Sequence, residues 1–318
     1  MSKVFGPSSV TLGLHPIAVA VPSTASALVE GVIEQAVAAE RSGFDGATVS
    51  EHHRGLPGYL PQPLLVSNWV LAETSRIWSG PNPTLLTLRN AAHLAEELAW
   101  TAARFPGRVG ATVAAGYNPD DFAAVGLGTD DIARRFAEEV THLAHSLTAG
   151  GPLQGDEAVE EWIRTPGPLA SAANSTTAAV RAANAGMGIS LIGADNVSER
   201  TQRVLNAYRG AGGTGPVMLT RRAFIGTPPA KAVEALLDTY RTSPRSNGAL
   251  GDFVSGEPEA VAEALVVELD SLGPDGSLVP HLNLPGVELS QALEQIVRFG
   301  EEVIPLIKRE RGVAGASS

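Results

Sequence analysis

Four short segments carry residue types from which a site could be built. In Ser50-Glu51-His52-His53 two adjacent imidazoles follow an apolar run, where they can position a ligand and move protons near neutral pH. The pair equally fits two exposed loop histidines. Metal ligation is the weaker reading, since no histidine at i+4 and no cluster of carboxylates completes a ligand set. Gly80-Pro81-Asn82-Pro83 ends another apolar run with prolines that cannot continue a strand ladder, so the chain must bulge or turn. Its Asn82–Pro83 bond is a candidate for the cis form, with an ordinary trans loop as the alternative. Asn174-Ser175-Thr176-Thr177 has the composition of a helix N-cap whose free N–H groups make an anion site, or simply a cap. Gly186-Met187-Gly188 stands where a helix returns to a strand, and a glycine there is expected as a C-cap.

Other patterns fail on context. Gly210-Ala211-Gly212-Gly213-Thr214-Gly215 matches a dinucleotide fingerprint literally, but it follows a helix and precedes a strand, the reverse of that arrangement. Gly126-Leu127-Gly128 has no strand before it. His142 and His145 share a helical face without a third ligand.

The elements that must carry these segments alternate. Strand-like runs are expected at Val10–Ala20, 46–50, 76–79, 109–115, 168–173, 188–192, 217–225 and 278–283. Helical periodicity is expected over 26–42, 62–75, 90–104, 131–148, 176–185, 197–209, 229–241, 257–272 and 288–310. Eight strands each followed by a helix indicate an α/β protein, a (β/α)8 TIM-like barrel rather than an open sheet, with its site at the strand carboxyl ends. The stretch 116–167 is too long for a plain connection and is expected as an excursion over those ends, within one domain spanning 1–318.

Composition narrows the function classes. The 318 residues include no cysteine, which excludes disulfides, zinc fingers, iron–sulfur clusters and thiol mechanisms. A net charge of −11, with only Lys3, Lys231 and Lys308 among the 23 basic residues that are not arginine, argues against a nucleic-acid partner. No run reaches the ~20 apolar residues of a membrane span, and Met1–Pro7 has no signal-peptide core, so a cytoplasmic protein is expected.

Taken in order, these segments resemble the bacterial-luciferase-like superfamily of flavin-dependent oxidoreductases. The likeness runs through Gly43-Phe44-Asp45 to His53, Leu88-Arg89-Asn90 with Leu94-Ala95-Glu96-Glu97, Gly107–Gly116, Asp121-Phe122, Ala173-Asn174-Ser175, Ala182–Gly188, Pro285-Gly286 and Glu301–Pro305. The resemblance implies a barrel holding reduced FMN, or the deazaflavin F420, at the strand carboxyl ends. By position, His52 and His53 would face the ring and substrate, Asn82 and Pro83 would form a cis bulge behind it, and Gly116 would close the fourth strand beside it. Asn174, Ser175 and Thr176 would take the phosphate, with Gly186 and Met187 in a neighbouring loop. Two luciferase phosphate contacts fall on Ala115 and Ala178, so the ionic grip is weakened or built from other residues, and light emission is not implied.

The function so implied is an FMN-dependent monooxygenase. It would oxidise a small organic substrate with O2, use flavin reduced by a separate reductase, and pair as a homodimer through helices 62–75 and 90–104. An F420-dependent hydride-transfer enzyme and a catalytically idle flavin-binding subunit are the alternatives.

Overall fold

The computed structural model describes residues 4–17, 24–54, 56, 58–192, 199–242 and 253–312. Its strands are β1 (Thr11–Leu14), β2 (Gly46–Val49), β3 (Trp78–Pro81), β4 (Thr84–Leu85), β5 (Ala111–Ala114), β6 (Leu169–Ala172), β7 (Gly188–Ile192), β8 (Val217–Ile225), β9 (Val254–Gly256) and β10 (Gly276–His281). The helices are α1 (Ala25–Arg41), α2 (Pro63–Glu73), α3 (Ala91–Arg104), α4 (Pro119–Ala124), α5 (Ile132–Ser146), α6 (Glu157–Arg164), α7 (Thr176–Asn184), α8 (Glu199–Gly210), α9 (Ala230–Thr242), α10 (Pro258–Leu272), α11 (Leu289–Arg298) and α12 (Ile304–Glu310). None of the described helices is long and apolar enough to cross a membrane.

All strand pairs between named strands are parallel. One sheet runs β1-β2-β3 and the other β10-β8-β7-β6-β5-β4. Single parallel bridges join the two at both edges, Val10 to Leu278 and Ser79 to Val109. The ring is therefore a (β/α)8 barrel, in which β3 and β4 share one position on either side of Asn82–Pro83 and β9 pairs alongside the carboxyl end of β8.

Period-two alternation sorts the side chains. Val10, just before β1, with Leu12 and Leu14 of β1 and Ala47 and Val49 of β2, face outward into the main core under the helices. The amino end of the barrel interior is filled by Trp78, Ala170, Met218 and Val279, closed from below by Val4 and Phe5. Phe5 meets Trp78 edge to face at 4.4 Å. The same alternation turns Gly13 and His15, Thr48 and His52, Arg222, and His281 toward the barrel axis nearer the carboxyl ends. The interior is thus apolar at the bottom and polar at the mouth.

Local chemistry sets the helix starts. The Thr24 hydroxyl accepts from Ala27 N–H to cap α1, Asn90 caps α3, and Ser175 caps α7.

Several expectations are corrected. The first strand is only Thr11–Leu14: its ladder with β2 ends at Leu14, paired with Val49, and Pro16 has no N–H with which to continue it; residues 18–20 of the expected run lie outside the described residues. The excursion 116–167 splits: α4 bears on the mouth, whereas α5 and α6 pack beside α3 on the barrel's flank. The last helix is interrupted by a π turn at Phe299–Val303. Pro305 has no N–H to offer the preceding turn, and Gly300 is pressed so closely on Ser42 that a Cβ would lie 2.3 Å from its carbonyl oxygen.

Candidate active site

At the end of β2 the pleat separates the two histidines. Inward, the His52 ring is buried, and its Nδ1 donates to Asp121 Oδ2 at 2.7 Å. Asp121, on α4, is fully buried, and its other oxygen accepts the His53 backbone N–H at 2.8 Å. One carboxylate thus fixes both the ring and the backbone that carries it. With Nδ1 committed, His52 has Nε2 left for a ligand.

His53 points the other way, as alternating residues of an extended segment do. Its Nε2 donates to Glu51 Oε1 at 2.8 Å, and its ring lines a cleft of about 240 Å³ with Gln62, Arg89, His93 and Glu97. Glu51 is itself a structural tie: its Oε2 accepts from the Thr84 hydroxyl at 2.5 Å and from Leu85 N–H at 2.9 Å. The expectation that both imidazoles face one ligand is therefore corrected. Only His52 enters the mouth.

The Asn82–Pro83 peptide is cis. Asn82 is buried, its N–H donates to Val49 O at 2.8 Å, and its carbonyl accepts from Ser50 Oγ at 2.7 Å, while Pro83 O accepts from Glu51 N–H. This bulge is laced to the end of β2 and so stands beside His52. Gly116 follows β5 with φ +73, and a Cβ there would meet the Phe122 ring at 3.3 Å. Glycine alone suits both the backbone and the space. The turn it permits sets Tyr117 edge-on to His52 at 5.7 Å.

Residues that the sequence did not single out complete the rim. Tyr59, from the loop after β2, lies edge-on to both His52 (4.5 Å) and His15 (5.9 Å). His15 Nε2 is 2.9 Å from His281 Nδ1, and His15 Nδ1 is 3.1 Å from Gly58 O. The His15 pKa falls to about 4, first through burial and then through the nearby Arg222 charge. His281 is likewise held well below the usual histidine range by burial, by His15 and by Arg222. An arc of rings, His281-His15-Tyr59-His52-Tyr117, therefore borders the mouth from β10 round to β5. No spacing in the sequence links residues 15, 59 and 281; only barrel closure does.

Asn174, Ser175 and Thr176 follow β6 at the same carboxyl end. Ser175 Oγ accepts from Ala178 N–H at 3.2 Å, so it is committed as a cap. Arg200, near the start of α8, donates to Asn174 O from Nη2 at 2.7 Å and from Nε at 3.3 Å. Gly186 and Met187 are elsewhere. They precede β7, and register pairs Gly188 with Ala170 near the start of β6, so they stand at the amino end of the barrel. Met187 is buried, and Gly186 (φ +67) is the expected left-handed turn after α7. They cannot share a phosphate site with Asn174, because the barrel's length separates them.

The mouth fits a flavin or deazaflavin by its donor set. The first turn of α7 offers the backbone N–H groups of Thr176 and Thr177 with their hydroxyls, and Arg200 adds a guanidinium at the same turn, which suits a phosphate. Counting β3 and β4 as one position, the Asn82–Pro83 bulge stands two strand positions round the ring from this turn and His52, at the end of β2, three.

Comparison with known proteins accords with this geometry. A solved structure of the oxygenating constituent of 3,6-diketocamphane monooxygenase from Pseudomonas putida, a type II Baeyer–Villiger monooxygenase in complex with FMN, superposes with a TM-score of 0.76 at 18% identity, covering 94% of this chain and 98% of that one. An F420-dependent secondary alcohol dehydrogenase in complex with an F420-acetone adduct gives 0.67 at 14% identity, covering 95% and 99%. The F420-dependent glucose-6-phosphate dehydrogenase of Kribbella flavida is 28% identical over 194 residues, 56% of this chain. The matched segments span only 33% and 58% of the two curated relatives found. Residues 12–268 match the family described as luciferase-like monooxygenase, and the chain belongs to that family of oxidoreductases.

Proposed function

We propose that the chain is an FMN-dependent monooxygenase of the two-component kind, which takes up reduced flavin from a separate reductase and inserts oxygen from O2 into a small organic substrate. The observation that carries this reading is the His52–Asp121 pair at the mouth, with Arg200 and the first turn of α7 on the same face of the barrel. Thr176, Thr177 and Arg200 would hold the phosphate, and the Asn82–Pro83 bulge and Gly116 would border the ring. When bound, the flavin supplies the redox chemistry and the activation of O2.

The chain's own residues do the rest. Asp121 holds the His52 ring in one orientation, so that Nε2 can accept or return a proton at the reacting group. Tyr59, Tyr117 and α4 crowd the same ring and exclude water from it.

F420-dependent hydride transfer is the second reading, favoured by the Kribbella flavida relative. Titration of the purified protein with reduced FMN and with F420 separates the two. Micromolar FMN binding with O2-dependent turnover supports the first; F420 binding with anaerobic hydride transfer replaces it. Uptake of neither would leave an idle subunit.

A homodimer is part of the proposal. Leu65 of α2 and Trp100 of α3 are about half exposed, whereas Val70 of α2 is buried within the protomer.

A further inference from the structure

His15 and His281 belong to the mouth but have no part in the His52–Asp121 pair. Their protons can be placed by elimination. Gly58 O can only accept, so His15 Nδ1 carries the hydrogen of the 3.1 Å contact. A neutral imidazole has one N–H, so His15 Nε2 is bare. The 2.9 Å contact then requires His281 Nδ1 to donate. His281 Nε2 is left bare in turn, and none of the described residues donates to it. The ring edge bearing Nε2 leans over Gly13, where a Cβ would lie 2.4 Å from Cδ2 and 2.5 Å from Nε2.

We propose that His15 and His281 form an acceptor pair of fixed tautomer, which presents the bare His281 Nε2 to an O–H or N–H group of the substrate at the β1 and β10 side of the mouth. The groups around the pair keep it an acceptor rather than a cation. Burial disfavours the charged form of both rings, and Arg222, the register neighbour of His281 on β8, adds a positive charge that opposes a second one. Tyr59 covers His15 from the loop after β2, and His52 lies beyond Tyr59. A ligand that covers this acceptor without supplying a donor leaves it buried and unmatched, which is costly, so such ligands are disfavoured against those that bring a donor. Substrates bearing an alcohol, or an amine or amide N–H, are thereby selected. Only the term substrate rests on the proposed oxidoreductase reading; the acceptor itself does not.

Two measurements test this, and neither uses a cofactor. Nitrogen-15 spectra of histidine-labelled protein should show His281 as the Nδ1–H tautomer, with Nε2 unprotonated, from pH 8 to pH 5.5. An Nε2–H tautomer or a charged ring in that range overturns the proposal. Ligand-observed NMR with cyclohexanol and cyclohexanone then reads the selectivity. Cyclohexanol should bind about two- to tenfold more tightly, the worth of one neutral hydrogen bond. That preference should vanish in His281→Phe and in Gly13→Ala, which keeps every histidine but displaces the ring. Equal binding of the two probes by the unaltered protein, or the same preference in both variants, also overturns it. A protein that takes up neither FMN nor F420 would defeat the flavin reading while leaving both of these signals in place.

Discussion

Asp121 reaches across from α4 to hold His52 at both ends: one oxygen takes the ring Nδ1 at 2.7 Å and the other takes the next backbone N–H at 2.8 Å. The ring is thereby fixed in direction and left with a single free nitrogen. If that nitrogen handles the substrate proton, His52→Ala should lower turnover about 10²–10⁴-fold. Asp121→Ala should lower it by a similar factor, since it frees the ring and the backbone together. His53→Ala should do far less, because that ring bonds Glu51 behind the barrel wall. The measurement is single-turnover substrate oxidation with reduced FMN and O2. Equal rates for His52→Ala and the parent protein would remove His52 from the mechanism.

Cofactor phosphate affinity should depend on Arg200 more than on Ser175. The Ser175 hydroxyl already serves α7, so Ser175→Ala loses a cap worth about 1 kcal/mol and affects the phosphate indirectly. Arg200→Gln removes the guanidinium that meets this turn. Its loss should weaken FMN binding by about 1.5–3 kcal/mol, roughly tenfold or more. A dissociation constant unchanged in Arg200→Gln would show that the phosphate lies elsewhere.

The barrel was legible because its signals are local. Alternating strand and helix patterns, glycine stops and caps such as Ser175 are written in neighbouring residues. The pleat alone also sets His52 against His53, although the resemblance places both on one ligand. What could not be read depends on closure. His15 and His281 lie 266 positions apart and meet only because β1 and β10 are neighbours in the ring. Arg200 was hidden for the same reason, since only the packing of α8 beside α7 brings it to Asn174. Gly186 and Met187 were misplaced by proximity in sequence to the phosphate turn, although a whole helix carries the chain back to the opposite end.

Association should occur through α2 and α3. Leu65 and Trp100 expose apolar surface that a second copy can cover, and Trp100 is already steadied by its Nε1 donating to Asp156 at 3.2 Å. Sedimentation at micromolar concentration should give a dimer, and Leu65→Glu with Trp100→Glu should give the ~33 kDa protomer with its fold intact. A parent protein that sediments as the protomer alone rejects this contact.

Stability should decline in mild acid through His15. Its folded pKa of about 4 lies below the ordinary 6.5, so between these values the unfolded chain takes up a proton that the folded chain refuses. The contribution is complete above pH 6.5 and is lost as pH falls toward 4, amounting to about 3 kcal/mol at most. His281 acts with the same sign. Urea midpoints taken from pH 7.5 to 4.5 should fall more steeply in the parent protein than in His15→Gln. Parallel slopes would mean that His15 titrates normally in the fold.

Away from the mouth, Arg221 of β8 points outward and meets Glu268 of α10, its Nε 3.0 and 3.1 Å from the two carboxylate oxygens, with both side chains almost wholly buried. Burial pushes the Glu268 carboxyl up, and this outweighs the opposing pull of Arg221. The pair therefore does not repay its own desolvation, yet neither member can be lost alone. Glu268→Leu leaves a buried guanidinium unpaired and should cost about 3–5 kcal/mol. The double replacement Arg221→Met with Glu268→Leu removes both charges and fills similar volume, so it should lie within about 1–2 kcal/mol of the parent protein, or above it. Because the pair faces α10 rather than the barrel axis, turnover in the double variant should be unchanged. Chemical unfolding of the two variants decides the matter: a Glu268→Leu protein as stable as the parent, or a double variant no better than the single one, would show that the ion pair does not govern the packing of α10 on β8.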